Sequence, residues 1–365
     1  MANYSYSWLI TITLLPIMKT HSLNITPEIL KIIAEIDEFR GGWKATHNLS
    51  PERLAVLRHV ATIESIGSST RIEGVKLSDK EIEEILGKVG KGSFNTRDEQ
   101  EVVGYAETME TIFQNFEEIP LTENYLKQLH ATLLRHSDKD ERHRGHYKKL
   151  NNHVEAFDAS GKGLGIVFKT ATPFDTPQKM EKLLRWTRES LEDKSIHPLL
   201  VIAIFNVVFL AIHPFQDGNG RLSRILSTLL LLKVGYSYVP YSSLESIIER
   251  NKESYYLGLR RTQSTLDNKN PDWTPWLNFF LRALKSQKDH LKRKMEDNAG
   301  WSDLPSDSVK ILEYLTEHQR ITMKEAEMLT NTPRATLKLR IAQLMKEGLI
   351  ARRGKGRGTW YIKSD

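Results

Sequence analysis

The chain has no cysteine among its 365 residues. That excludes disulfides, thiol nucleophiles and cysteine–zinc sites, and it fits a reducing compartment, so a cytoplasmic protein is expected. Long apolar runs are also missing. The strongest, Leu199–Ile212, is too short to span a bilayer and contains Asn206, which marks a buried core helix and leaves no membrane-spanning segment. Trp8–Met18 is an apolar stretch without Lys or Arg before it or a small-residue cleavage site after it, so it lacks the marks of a secretory signal. Within it Ile10, Ile12 and Leu14 alternate with Thr11 and Thr13, as in a short strand or an unstructured extension, and Met18 is an alternative start. Charge of one sign is scarce: the net is +6, with 39% hydrophobic and 27% charged residues, ordinary for a soluble chain with room for two or three domains.

What is present centres on His213-Pro214-Phe215-Gln216-Asp217-Gly218-Asn219-Gly220-Arg221-Leu222-Ser223-Arg224, between the apolar runs Leu199–Ile212 and Ile225–Val234. The pattern reads as helix, tight polar loop, helix. Pro214 cannot continue an ordinary helix. Gly218, Asn219 and Gly220 tolerate left-handed backbone and leave amides uncovered. A helix restarting at about Gly220 aims its free amides and positive dipole end into the loop, which makes an anion site. One imidazole, one carboxylate and two arginines surround it. The plain alternative is a polar connector with an Asp217–Arg224 ion pair.

This loop resembles the H-P-F-x-[D/E]-G-N-G-R-x-x-R motif of Fic-domain proteins, most of which transfer AMP from ATP onto protein hydroxyls. Upstream, Ser69-Thr70-Arg71-Ile72-Glu73-Gly74 resembles the family's [S/T]-x-x-x-E-[G/N] inhibitory motif, whose glutamate pairs with the second motif arginine, here Arg224. A carboxylate there competes with the γ-phosphate for the same planar fork. The resemblance implies a mainly α Fic-type bundle with a small β-hairpin flap. It also implies ATP and Mg²⁺ as cofactors, a protein partner offering a Ser, Thr or Tyr hydroxyl, and a homodimer as an open alternative.

Taken in order, Thr26-Pro27-Glu28 starts a helix with Ile29, Leu30, Ile32, Ile33 and Ile36 on one face, ended by Gly41-Gly42. Ser50-Pro51-Glu52 starts a second, through Leu54, Leu57, Val60, Ile63 and Ile66, that runs to the inhibitory motif. Ser78 and Glu81 form a capping box, Gly87–Ser93 is a connector, and Asp98–Phe116 and Thr122–Leu134 read as helices. His136, His143, His146 and His153 lie around a charged loop without metal-ligand spacing. Val154–Phe157 and Ile166-Val167-Phe168-Lys169-Thr170 form a hairpin at the position of the family's flap; an ordinary surface hairpin is the alternative. Thr176-Pro177 starts a further helix. Ile247–Thr262 is helical and carries Asn251, Tyr255 and Tyr256; the tyrosines resemble the family's adenine pair or pack in the core, and Gln263 follows as a polar nucleotide contact. Lys285–Asn298 reads as a charged helix before a linker at Ala299-Gly300.

Composition shifts after Trp301. The stretch 301–365 has 12 Lys or Arg against 8 Asp or Glu, which places +4 of the net charge there. Helices at Asp307–Glu317, Met323–Leu329 (capped by Thr322 and Glu325) and Pro333–Lys346 (capped by Thr332) precede strands at Leu349–Arg353 and Thr359–Ile362. The order resembles a winged helix-turn-helix. Arg334, Lys338, Arg340 and the basic residues between Arg352 and Arg357 would meet DNA phosphates; docking or dimerisation is the alternative. The expected division is an extension at 1–21, a helical region at 22–95 with the inhibitory motif, a catalytic core at 96–298 and the module at 301–365.

The resemblance therefore implies a protein adenylyltransferase. His213 takes the proton from the target hydroxyl, which attacks the α-phosphate of ATP while pyrophosphate leaves. Asp217 holds Mg²⁺. Gly218, Asn219 and Gly220 cradle phosphates, with Arg221, Leu222, Ser223 and Arg224 completing the ATP site. Phe215 points into the core. Glu73, at the ATP site, predicts low basal activity. A DNA-binding regulator that only senses nucleotide, and a hydrolase that removes AMP with Glu73 orienting water, are the competing readings.

Overall fold

The computed structural model describes residues 18–45, 51–89, 94–152, 154–157, 163–168, 170–297, 301 and 304–364. The Trp8–Ile17 run, Ser50, Gly90–Ser93, His153, the hairpin tip at 158–162, Lys169 and the linker at 298–300 lie outside them. Among the described residues, eleven α-helices and one hairpin precede the C-terminal module: α1 Pro27–Ala45, α2 Pro51–Ile72, α3 Asp79–Leu86, α4 Arg97–Asn115, α5 Glu123–Leu133, β1 Val154–Phe157, β2 Gly163–Phe168, α6 Thr176–Asp193, α7 Pro198–Ile212, α8 Asn219–Lys233, α9 Leu244–Arg250, α10 Lys252–Gln263 and α11 Thr274–Asp297.

The bundle is built around α7. Apolar on every face, it packs among α6, α8, α10 and α11. Ile202, Phe205 and Phe209 are fully buried there, each contributing about 1.5–3 kcal/mol relative to exposure. The helix carrying the 69–74 motif, α2, lies against α9, α4 and α8 and so reaches the start of α8 from outside. Capping boxes at Ser78/Glu81 and Thr96/Glu99 fix where α3 and α4 begin. Among the described residues no helix is long and apolar enough to cross a membrane.

Several boundaries differ from the sequence expectation, and four of them have a clear structural reason. Helix α1 runs through Gly41-Gly42 to Ala45. Phe39 and Trp43 pack on Tyr238 and Tyr241, with centroids 5.0 and 5.2 Å apart, and this burial outweighs about 1 kcal/mol of propensity lost per glycine. The 247–262 helix is broken into α9 and α10 at Asn251, whose Nδ2 donates to the Ile247 carbonyl at 2.8 Å and competes with the helix ladder. The hairpin is tighter than expected: β2 starts at Gly163, which pairs with Phe157, and ends at Phe168, before Thr170. In the module, Thr332 does not cap the third helix; its Oγ1 donates to Asp307 Oδ1 at 3.0 Å and Pro333 precedes the first turn.

That module comprises α12 Ser306–Glu317, β3 Ile321–Thr322, α13 Met323–Thr330, α14 Arg334–Lys346, β4 Ile350–Arg353 and β5 Trp360–Lys363. Its strands form an antiparallel sheet in the order β3-β5-β4. Val309, Leu312, Ile321, Leu337, Ile341 and Tyr361 belong to a core separate from that of the bundle. The two-residue strand β3 is too short to leave a periodic signal. The module rests on the bundle through α12 against α2, and through Lys80 Nζ on α3, 2.7 Å from Glu325 Oε1.

Candidate active site

Helix α7 ends at His213, whose left-handed backbone (φ 53°) still lets its N–H reach the Phe209 carbonyl at 2.8 Å before Pro214 turns the chain. Asn219 then holds the loop shut from both sides. Its Oδ1 accepts the Phe215 N–H at 2.9 Å and its Nδ2 donates to the Phe215 carbonyl at 2.7 Å. Phe215 is fully buried and stacks on His130, with centroids 3.8 Å apart and planes 11° apart, so it sets the loop's angle. His130 Nδ1 accepts the Gly145 N–H at 2.8 Å, which leaves Nε2–H to donate to the Asp217 carbonyl at 3.0 Å. Burial pushes the His130 pKa down to about 4, consistent with this neutral tautomer.

The His213 ring is ordered in the same way. Its Nδ1 lies 3.3 Å from the Leu210 carbonyl, which can only accept, so Nδ1 carries the hydrogen and Nε2 presents a lone pair. Burial, reinforced by the nearby Lys148 charge, lowers its pKa to about 4, so the ring is a neutral base at pH 7. Lys148 is 3% exposed, and its Nζ donates to Asn152 Oδ1 at 2.8 Å, Thr170 Oγ1 at 2.9 Å and the Ile212 carbonyl at 3.1 Å. Burial and then Lys179 lower its own pKa to about 8. One ammonium thus ties the end of α7 to the base of the hairpin.

Asp217 and the two arginines separate into distinct clusters. Arg221 is 2% exposed, with Nη1 2.9 Å from Glu101 Oε2 and Nη2 3.4 Å from Asp217 Oδ1. Arg97 contacts the same two carboxylates, at 2.8 Å and 3.5 Å. Burial works against the Asp217 charge, but Arg221, the Gly218 N–H at 2.6 Å and Arg97 outweigh it and hold the carboxyl below its usual range. Arg224 turns the other way. Its Nε donates to Ser69 Oγ at 2.8 Å, and its Nη2 donates to the Ser69 carbonyl at 3.0 Å and to Glu73 Oε1 at 2.8 Å. The expected Glu73–Arg224 pairing is therefore formed, and the alternative Asp217–Arg224 pair is not. Desolvation opposes the Glu73 charge, yet Arg224 keeps the carboxyl below its usual range.

Of the glycines, Gly218 is left-handed (φ 77°) and Gly220 is helical. Gly220 is needed for space: a Cβ there would lie 2.2 Å from Glu73 Oε1. The helix starts one residue earlier than expected, at Asn219, and the Leu222 amide already donates to the Gly218 carbonyl at 2.9 Å. The uncovered first-turn amides are those of Asn219, Gly220 and Arg221. Leu222 and Ser223 are fully buried, with Ser223 Oγ donating to the Gly220 carbonyl at 2.7 Å, so their side chains support the turn from behind.

The two tyrosines play different parts. Tyr255 is 3% exposed, packs edge-on against Trp276 and Phe279, and lies close enough to Arg224 for the two to feel each other's charge. Tyr256 is 42% exposed and offers its ring to solvent near Glu73. Helix α10, which carries both, runs beside β2, so Ile166, Val167 and Phe168 lie on a strand next to the tyrosine helix. Thr170 is a buried anchor for Lys148, past the strand. Gln263 lines a cavity of about 420 Å³ with Thr170, Ile212 and Trp273, away from the Arg224 cluster. His136 and His143 pair with Glu107 and Asp140, and no group of three His, Asp or Glu gathers among the described residues.

Five supporting residues escaped the sequence reading: Arg97, Glu101, His130, Lys148 and Asn152. The usable signal was His130, a lone histidine on the apolar face of α5 beside Leu126, Leu129 and Leu133.

The Fic/DOC family profile matches residues 120–231. A probable protein adenylyltransferase of Aquifex aeolicus is 32% identical over 99 residues, which is 27% of this chain and 28% of that protein. Protein adenylyltransferase Fic of Drosophila grimshawi is 26% identical over 229 residues, 61% of this chain and 42% of that one. The chain thus spans less than half the length of these curated relatives. Among solved structures, a Fic family protein from Desulfovibrio desulfuricans shares the fold at TM-score 0.60 and 24% identity, covering 94% of this chain and 98% of that one. A Fic domain containing signaling protein from Bacteroides thetaiotaomicron aligns at TM-score 0.56 and 25% identity, over 71% and 97%. Motif, fold and relatives agree over this region, where residues 120–231 match the Fic/DOC family and the match ends within α8, the helix holding Arg221 and Arg224.

Proposed function

We propose that this protein transfers AMP from ATP to a hydroxyl of a protein substrate or of itself, and that Glu73 restrains it. The observation that carries the reading is one arginine, Arg224, held by Glu73 at the start of a helix whose preceding loop presents His213 Nε2 as a neutral base. In the reaction, the hydroxyl proton passes to Nε2, the hydroxyl oxygen bonds to the α-phosphorus, and the bond to the leaving pyrophosphate breaks. First-turn amides of α8 and the Arg221 and Arg224 guanidiniums stabilise charge on the phosphates. Tyr256 offers its exposed face to the base, and the hairpin covers it. Positioning dominates, since Asn219, His130 and Lys148 fix the loop before substrate arrives.

Asp217 suits Mg²⁺. Its carboxylate is 32% exposed, Oδ1 is pinned by the Gly218 N–H and Arg221, and among the described residues Oδ2 has only the 3.5 Å contact to Arg97. One carboxylate plus substrate phosphates is a usual arrangement for this ion, which when bound would neutralise phosphate charge. The test is labelling with ATP carrying a labelled α-phosphate: Glu73→Gly raises self-modification and His213→Ala abolishes it. If the Glu73 variant labels no faster than wild type, autoinhibition is wrong. A hydrolase would instead release label from modified protein only with Glu73 present.

The module supports a second reading, that of a winged helix-turn-helix on duplex DNA. Arg334 and Lys338 stand exposed on α14, and Arg352, Arg353 and Lys355 on the β4–β5 hairpin. Retention on DNA at low salt, lost on deleting 301–365, tests it; no retention of the intact chain excludes it.

A further inference from the structure

Glu73 reaches Arg224 only if the last turn of α2 stays where it is, and the bonds that hold this turn converge on a residue with no contact to the phosphate loop. Arg71 uses every arm of its guanidinium. Nε donates to Glu249 Oε1 at 2.7 Å, Nη1 to Asp79 Oδ1 at 2.7 Å and to the Leu77 carbonyl at 3.1 Å, and Nη2 to Glu249 Oε2 at 3.1 Å and Ser68 Oγ at 3.3 Å. Those partners lie on α2 itself, on the connector at Leu77, at the start of α3 and on α9. The bidentate grip on Glu249 fixes direction as well as distance, which a lysine cannot reproduce.

The sequence makes room for this grip. A Cβ on Gly67, one turn earlier on α2, would lie 2.5 Å from Asp79 Oδ1 and 2.6 Å from Arg71 Nη1. Lys252 adds a tie to the same turn, its Nζ donating to the Ile72 carbonyl at 2.8 Å. Beyond it the chain reverses at Gly74, with a left-handed φ of 106°, and the Val75 N–H returns to the Thr70 carbonyl at 3.2 Å. Glu73 therefore sits on a short turn whose position is set from its outer side. The clamp side chains are 25% exposed for Arg71, 21% for Asp79 and 28% for Glu249, so they are reachable from solvent, whereas Arg224 is 2% exposed.

We infer that Arg71, through Asp79 and Glu249, is the positioning residue of the inhibitory turn, and that loosening this clamp withdraws Glu73 from Arg224 without touching the ATP site. The inference rests on the reading of Glu73 as the inhibitory carboxylate. It also gives the second variable position of the S-T-R-I-E-G motif a task in this chain.

The experiment compares self-modification by full-length wild type, Glu73→Gly, Arg71→Met, Arg71→Lys and the Arg71→Met/Glu73→Gly double variant, using ATP labelled at the α-phosphate. Arg71→Met is expected to exceed wild type by about tenfold or more, approaching Glu73→Gly, with Arg71→Lys between them. The double variant should gain nothing over Glu73→Gly alone, because both changes release the same carboxylate. Equilibrium binding of ATP in a His213→Ala background gives a second readout: Arg71→Met should tighten it by a similar factor. Should Arg71→Met fail to fold, the paired Asp79→Asn/Glu249→Gln variant removes the clamp's charges instead and should activate likewise. A clamp variant that folds and stays as silent as wild type, while Glu73→Gly is active, overturns the clamp. Silence of Glu73→Gly itself overturns the inhibitory reading, and the clamp with it.

Discussion

In the 213–224 loop the turn is shaped between near neighbours, His213 to Phe209 and Leu210, Asn219 to Phe215 and Gly218 to Asp217, and is buttressed from other elements by His130 on Asp217, Lys148 on Pro214 and Asn152 on Phe215. In the 69–74 turn the bonds run across the chain, from Arg71 to Glu249, from Ile72 to Lys252 and from Glu73 to Arg224. Local bonds form as soon as the segment folds and survive changes elsewhere. Long-range bonds depend on how separate helices pack, so a distant change can break them singly. On the proposed function, catalytic geometry rests mainly on one loop, while restraint is distributed over α2, α3, α9 and α10. An enzyme that must be switched benefits from that division, because the restraint can open while the loop stays intact.

Removing the base should break the loop side of this comparison most severely. In the Glu73→Gly background, His213→Ala should lower the labelling rate by about 10²–10⁴-fold with little change in melting temperature, since among the described residues the His213 ring bonds only to the Leu210 carbonyl and its backbone bonds are kept. Asn219→Ala leaves the N–H of buried Phe215 unpaired, while its carbonyl keeps Asn152 Nδ2, so it should cost about 1–3 kcal/mol of stability and lower activity. Gly220→Ala probes where the two regions touch. Its Cβ should destabilise wild type by about 1–3 kcal/mol but be nearly neutral once Glu73 is glycine, a coupling that thermal melts of the four-variant cycle would measure.

Smaller effects follow from charge. With a pKa lowered to about 4, His213 stays a neutral base from pH 8 down towards that value, so kcat/KM of Glu73→Gly should fall only at pH well below the 6.5 of a free imidazole. Lys148→Met removes one cause of the lowering, and the acid limb should move up by less than the full interval, because burial is the larger cause. Raising salt from 0.15 to 1 M shortens the screening length from about 8 to about 3 Å, which should loosen the partly exposed Arg71 clamp before the buried Arg224 contacts and raise wild-type activity slightly.

The same division explains what could be read from the sequence. The loop is legible because the residues that shape its turn lie within twelve successive positions: Pro214 ends α7, Asn219 and the glycines shape the turn, and the flanking runs are helical, whereas its buttresses His130, Lys148 and Asn152 come from elsewhere in the chain. The Glu73–Arg224 pair was legible only through resemblance to the family, since the two lie 151 residues apart and no periodicity joins them. Lys148, Glu101 and Arg97 act from separate elements and carry no local pattern that marks them. Gly220 was expected to supply backbone freedom and instead supplies space for a carboxylate from another helix. Asn251 breaking the 247–262 helix, and Phe39 and Trp43 carrying α1 through two glycines, are tertiary effects of the same kind.

The account stands or falls on one rate. Labelling from α-labelled ATP by full-length Glu73→Gly and wild type, at equal concentration and pH 7.5, should differ by about tenfold or more in favour of the variant, with His213→Ala/Glu73→Gly silent. Equal rates for the first two, or undiminished labelling without His213, would contradict it.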